Sequence, residues 1–142
     1  MVHALSEIRR GLVRDGILID VRPLIGQASI EMISKTLTRL IGHVDQLPED
    51  LADDEAANRA MEEAVHCNWF VREREVFFPI LYIWDSPAEM QKYVEEDWSD
   101  YVSIDESVLK NIRSMWAVEG ANAHLRITLK MLIARCRVLK EN

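Results

Sequence analysis

His43 and Asp45 stand two apart, and on a strand that spacing puts both on one face, where a carboxylate can orient an imidazole through its second nitrogen. A solvent-facing turn pair is the plainer reading of the same two residues. His66 and Cys67 are adjacent, which is no arrangement for a dyad, because neighbours on a helix point about 100° apart. His3, His43, His66 and His124 lie far apart without HxH or HxxxH spacing, so no zinc ligand set can be written. The five glycines are never within three positions of one another, which excludes GxGxxG and phosphate-cradling loops. No GxSxG is present, and acidic pairs such as Glu62-Glu63 and Glu95-Glu96 read as solvated helix faces. Catalytic residues are therefore not indicated, and neither is a metal site.

The aromatic residues say more. Phe70, Phe77, Phe78, Tyr82, Trp84, Tyr93 and Trp98 crowd one third of the chain, and aromatic walls with a few polar groups make small-molecule pockets. Core packing accounts for the same crowding. Arg22, Tyr82 and Trp84 fall near predicted strand ends, where ligands collect in open α/β sheets, and Trp98 follows the next helix. Arg22, Tyr82, Trp84 and Trp98 form the candidate pocket.

These side chains need elements to hold them. Leu5, Ile8 and Leu12 recur at helical spacing over residues 2 to 13, and Arg14-Asp15-Gly16 stops that helix. Ile17 to Val21 is short and almost continuously apolar, which predicts a strand covered on both faces, with Pro23 ending its pairing. Residues 28 to 45 fit a helical stripe as well as two β-branched strands around Ser34-Lys35, and a β-hairpin is the preferred reading. Pro48 to Asp53 reads as a polar lead-in, with Asp53 or Asp54 capping a helix that has a small-residue face and ends near Asn68.

Trp69 to Trp84 predicts a long strand bent near Pro79. Ser86-Pro87-Ala88-Glu89 is a helix start with a capping box, and Asp105 caps a further helix that Gly120 ends. From His124 onward, Leu125, Ile127, Leu129, Met131 and Ile133 alternate with polar residues, the pattern of a strand with one buried face.

A chain of 142 residues with 49% hydrophobic and 29% charged residues reads as one domain, 1-142. Its parts are a helix plus strand over 1-25, the hairpin at 28-45, and helices with two long strands over 48-142. The net charge of -7 argues against binding nucleic acid through phosphates, and no apolar run is long enough for a membrane span or a signal peptide. The chain reads as soluble and cytoplasmic, and there Cys67 and Cys136 are expected as two buried free thiols.

The run "ALSEIRRGLVRDGILIDVRP" resembles the late part of class I S-adenosylmethionine-dependent methyltransferases, where a helix of the type "EI.R.L.PGG" leads into the fifth strand. Glu7, Ile8, Arg10, Leu12 and Gly16 match that pattern, while Arg14-Asp15 stands where the family prefers Pro-Gly. Asp54 to Cys67, Phe70 to Phe78, Asp85 to Glu89 and Leu125 to Arg135 then follow in the order of the family's C-terminal half.

The resemblance implies a Rossmann-like α/β fold whose last strand lies antiparallel between the other two. It also implies that the cofactor-binding half is absent: neither the glycine loop after the first strand nor the acidic residue ending the second has a counterpart here. The chain begins where the family would still be inside its fourth helix. On this resemblance the chain is a small mixed sheet with flanking helices, without catalytic or cofactor-binding residues of its own, and needs S-adenosylmethionine only if a partner completes the site. The missing neighbour leaves Ile17 to Val21 as an open edge, covered by a second copy or another protein. The alternatives are a substrate-binding subunit of a split methyltransferase, and an unrelated small α+β protein that holds a ligand in its aromatic cluster.

Overall fold

The computed structural model describes residues 2 to 140. In chain order the elements are α1 (Val2–Gly11), β1 (Ile17–Ser34), β2 (Thr38–His43), β3 (Asp45–Gln46), α2 (Pro48–His66), β4 (Phe70–Trp84), α3 (Pro87–Asp97), β5 (Val102–Ser103), α4 (Glu106–Glu119), a 3-10 turn at Gly120–Asn122, and β6 (Ala123–Val138). This is a mixed α/β architecture. One sheet has the strand order β2-β1-β6-β4, and β3 pairs with β5 in a second, two-stranded sheet. The last strand thus lies between β1 and β4. β1 and β2 form an antiparallel hairpin over Ser29 to Ile33, with a bulge between Ile30 and Glu31, so the β-branched reading of residues 28 to 45 prevails over the helical one.

The chain divides into two compact units, which interleave along the sequence. Unit 1 takes the residues up to Arg22, Leu51–Phe78 and those from Met131 onward; unit 2 takes Pro23–Asp50 and Pro79–Lys130. The three long strands each contribute one part to either unit.

In unit 1, Leu5 of α1, Ala60, Met61 and Ala64 of α2, Phe70 of β4, and Cys136 and Val138 of β6 form the core, with Leu12, Leu18 and Trp69 packed against it. The small residues Ala60 and Ala64 let α2 lie close to its neighbours. α2 ends because Asn68 turns into the left-handed region (φ 55°), which asparagine tolerates. Asn68 N–H then donates to the Val65 carbonyl and Trp69 N–H to that of Ala64, a Schellman closure that turns Trp69 toward the core. On the other side of β4, Glu73 accepts from Arg135 (3.0 Å) and Arg137 (2.5 Å), tying β4 to β6.

In unit 2, Ala28, Ile30 and Met32 of β1, Met90 and Val94 of α3, Ile112 of α4, and Ala123, Leu125, Ile127 and Leu129 of β6 are buried. The opposite face of these strands carries Glu31, whose carboxylate accepts from Arg126 (2.6 Å) and the Thr128 hydroxyl (3.1 Å). Gly42 lets α4 approach β2, since a Cβ there would meet Val108 Cγ1 at 2.9 Å. Gly120 ends α4 in a right-handed conformation and leaves room for the Trp116 ring, which a Cβ would touch at 2.7 Å.

Several expectations are corrected. β1 does not end at Pro23 but runs on to Ser34, because β2 pairs only from Ser29 onward and a proline with no partner strand on that side costs no ladder bond. Ile17 to Val21 is not covered on both faces: Ile19 and Val21 are each 50% exposed. α2 starts at Pro48, with Glu49 and Asp50 in its first turn, so Asp53 and Asp54 lie inside the helix. In β6 the alternation changes phase: the buried residues are odd-numbered through Leu129 and even-numbered from Leu132, so Met131 and Ile133 are only half-buried.

Cys67 is exposed, not buried; it follows the last residue of α2, where the chain turns away through Asn68. Cys136 is fully buried, and burial raises its thiol pKa, with Arg72 opposing. Iodoacetamide at neutral pH should therefore alkylate Cys67 in the folded protein and Cys136 only after denaturation, as mass spectrometry of the digested chain would report. Rapid labelling of both would contradict the burial of Cys136. Among the described residues, no helix is long and apolar enough to cross a membrane.

Candidate functional site

The aromatic run becomes a cluster because two periodicities meet. Tyr82 and Trp84 are two apart on β4 and share a face. Tyr93 lies on α3, and Trp98 caps the end of that helix with its N–H donating to the Val94 carbonyl. Tyr82 and Trp84 stack (6.1 Å, 14°), Trp84 meets Tyr93 at 5.4 Å, and Trp98 stands nearly perpendicular to both Tyr82 (4.8 Å, 84°) and Tyr93 (5.5 Å, 77°). Each such contact adds roughly 0.5–1.5 kcal/mol to the burial of the rings. The Tyr93 phenol is pushed above its usual range, first by desolvation and then by Tyr82 and Asp97, so it stays neutral.

The start of α3 sets the angle of this cluster. Ser86 Oγ accepts from Glu89 N–H at 3.2 Å, Pro87 occupies the first helical turn, and the Glu89 carboxylate accepts from Asp85 N–H at 3.2 Å. The predicted capping box is thus present, with its return bond one residue earlier than the usual pattern. Ser86→Ala should lower unfolding free energy by about 1 kcal/mol, read from the urea midpoint. An unchanged midpoint would mean that α3 is held by its packing alone.

Beside the cluster lies a cavity of about 250 Å³, lined by Pro23, Ile25, Ala28, Val44, Tyr82, Asp97, Trp98, Tyr101, Val102 and Leu129. Its rim is pinned by the backbone. Tyr101 and Val102 N–H both donate to the Trp98 carbonyl (2.9 and 3.0 Å), Leu47 N–H donates to the Tyr101 carbonyl (2.9 Å), and β3 pairs Gln46 with Val102. Most of the wall is apolar, and among the described residues Asp97 is the one charged lining residue.

Of the four residues anticipated from sequence, Tyr82 and Trp98 line this cavity, and Trp84 stacks behind Tyr82. Arg22 belongs to unit 1, where its guanidinium donates to Asp20 (3.1 Å) and to Asn58 Oδ1 (2.5 Å). Sequence reasoning missed Asp97 and Tyr101. Asp97 was hidden in an acidic run that reads as a solvated face, and Tyr101 follows a turn whose bonds to Trp98 have no sequence signature.

A second polar site also escaped the sequence. His124 Nδ1 lies 2.8 Å from Asp85 Oδ1, at the start of β6 and the end of β4, beside an open cavity of about 610 Å³ with Ser34, Lys35 and Asn122. The carboxylate favours the tautomer with the proton on Nδ1. His43 and Asp45 are exposed, on β2 and β3 respectively. Among the described residues, no three His, Cys, Asp or Glu side chains converge as a metal site.

The fold and site together define a mixed α/β protein with an aromatic-walled cavity. The chain matches no family model, no curated protein and no solved structure.

Proposed function

We propose that the chain is a methyltransferase-like, non-catalytic binding module that works in the cytoplasm as a homodimer. The observation that supports this reading is the strand order, with β6 between β1 and β4 as the resemblance implies; β2, paired antiparallel to β1, departs from the parallel neighbour of that family. Neither the glycine loop nor the acidic strand end that hold S-adenosylmethionine in that family occurs in these residues. The two free thiols suit a reducing compartment.

Association through Ile17 to Val21 is supported by exposure and by residue pairing. β2 stops short of this segment, and Ile19 and Val21 are half-exposed. Antiparallel pairing with a second copy about Ile19 would set Ile17 against Val21 on one face. β4, the end strand of the sheet, is less suited. Its Arg72-Glu73-Arg74-Glu75 run puts both arginines on one face and both glutamates on the other, so two-fold pairing there opposes like charges.

Titration of the purified chain with S-adenosylmethionine, with the mass read by light scattering on the same sample, tests the reading. A dimer that takes up no cofactor is expected, and Ile19→Lys should convert it to monomer. Micromolar cofactor binding would overturn the non-catalytic reading, and a monomer of the unaltered chain would overturn the dimer.

A second reading is favoured by the cavity of unit 2. Its volume and aromatic, mostly apolar walls suit one small organic molecule, and this function is independent of any relation to methyltransferases.

A further inference from the structure

We infer that the cavity of unit 2 is a site for an organic ammonium ion, an apolar body bearing an alkylated, positively charged nitrogen. The inference names the ligand class for the small-molecule reading above and rests on it. Three features of different physical origin meet at the same place. The first is the pair of ring walls: Tyr82 and Trp98 stand at 84° with centroids 4.8 Å apart, and Tyr101 adds a third ring at the rim. Aromatic faces carry the negative side of the ring quadrupole; in this edge-to-face pair the edge of one ring covers part of the face of the other, and a cation would meet the ring face left open toward the cavity.

The second feature is charge. Among the described residues, Asp97 is the one acidic side chain of the lining, and no basic side chain lines the cavity with it. The third is the backbone. Asp97 is the last residue of α3 and Trp98 its C-cap, so the negative end of the helix dipole falls at the cavity. The last turn of α3 holds no basic residue to offset that dipole.

The remaining chemistry narrows the class. Ile25, Val44 and Leu129 offer no oxygen ligands, so a bare metal ion would lose its hydration shell without replacement. An anion would meet Asp97 and the helix carbonyls. A neutral apolar molecule would fit the walls but gain nothing from Asp97. An alkylated ammonium is weakly hydrated, presents carbon to the apolar wall and satisfies the carboxylate by charge.

The probes are phenyltrimethylammonium and its uncharged isostere tert-butylbenzene, titrated into the purified full chain by calorimetry, with the Trp98 indole N–H followed by NMR. The cation should bind about tenfold more tightly than the isostere and shift the Trp98 signal. Asp97→Asn should remove most of that preference and leave the isostere's affinity unchanged. Tyr101→Leu, which keeps the rim apolar, should weaken the cation by about threefold or more. Both residues are exposed, so the variants should keep the parent's amide spectrum.

Equal or tighter binding of tert-butylbenzene would overturn the cation inference and leave the small-molecule reading standing. Binding of neither probe would overturn both. Heat without a shift at Trp98, or an Asp97→Asn variant that binds the cation as well as the parent, would overturn the site.

Discussion

Phe70→Ala should lower the stability of unit 1 by about 3–5 kcal/mol, a large share of the 5–15 kcal/mol typical of a folded domain. Phe70 is 1% exposed and belongs to one core cluster with Leu5, Met61, Ala64, Cys136 and Val138, a core built from α1, α2, β4 and β6. Truncation removes the transfer free energy of the ring. It also leaves a void that two strands and two helices cannot close without giving up hydrogen bonds. Urea unfolding followed by tryptophan fluorescence measures the loss, since Trp69 packs on that core. Amide exchange should accelerate at Ala60 to Ala64 and at Cys136 to Val138. A loss under about 1 kcal/mol would mean that this core does not hold unit 1 together.

Met90→Ala is the corresponding test in unit 2, with an expected cost of about 2–5 kcal/mol. Met90 is fully buried and shares the inner face of α3 with Val94. α3 carries Tyr93 and ends at Asp97 and Trp98, so a void under Met90 loosens the helix that positions the aromatic cluster. Near-ultraviolet circular dichroism should weaken along with stability, because the signal depends on fixed ring geometry. Met90→Leu, which roughly conserves volume, should cost under about 1.5 kcal/mol and keep that signal. Equal losses for alanine and leucine would point to the thioether itself, and no loss for either would remove α3 as the anchor of the cavity.

The organic ammonium site depends on the same helix for a different reason. Met90 and Val94 face inward and fix where α3 lies; Asp97 and Trp98 terminate it and carry the charge and the ring. Weakening the first pair should blur the geometry, whereas altering Asp97 should change charge alone.

The sequence by itself determined the helices and the starts of α3 and α4, but it placed the start of α2 too late, at Asp53 or Asp54 instead of Pro48. Ser86, Pro87, Glu89 and Asp105 act through bonds within a few residues, so their roles are readable locally, and Asp105 Oδ1 does accept from Ser107 N–H at 2.8 Å. The mixed α/β class also followed from periodicity, which reflects only the spacing of apolar residues along the chain, and the hairpin from the β-branched residues of 28 to 45, whose apolar spacing alone fits a helix equally well. Tertiary structure decided everything that depends on which residues meet across long separations. The change of phase in β6 at Lys130 is invisible in an unbroken alternation, because burial there depends on what covers each face. The exposure of Ile19 and Val21, the pairing of Arg22 with Asn58 instead of an aromatic ring, and the appearance of Asp97 and Tyr101 in a cavity wall have the same cause. A side chain's type is fixed by its codon, but its neighbours are fixed by the packing of distant segments, and the chemistry of a site belongs to the neighbours.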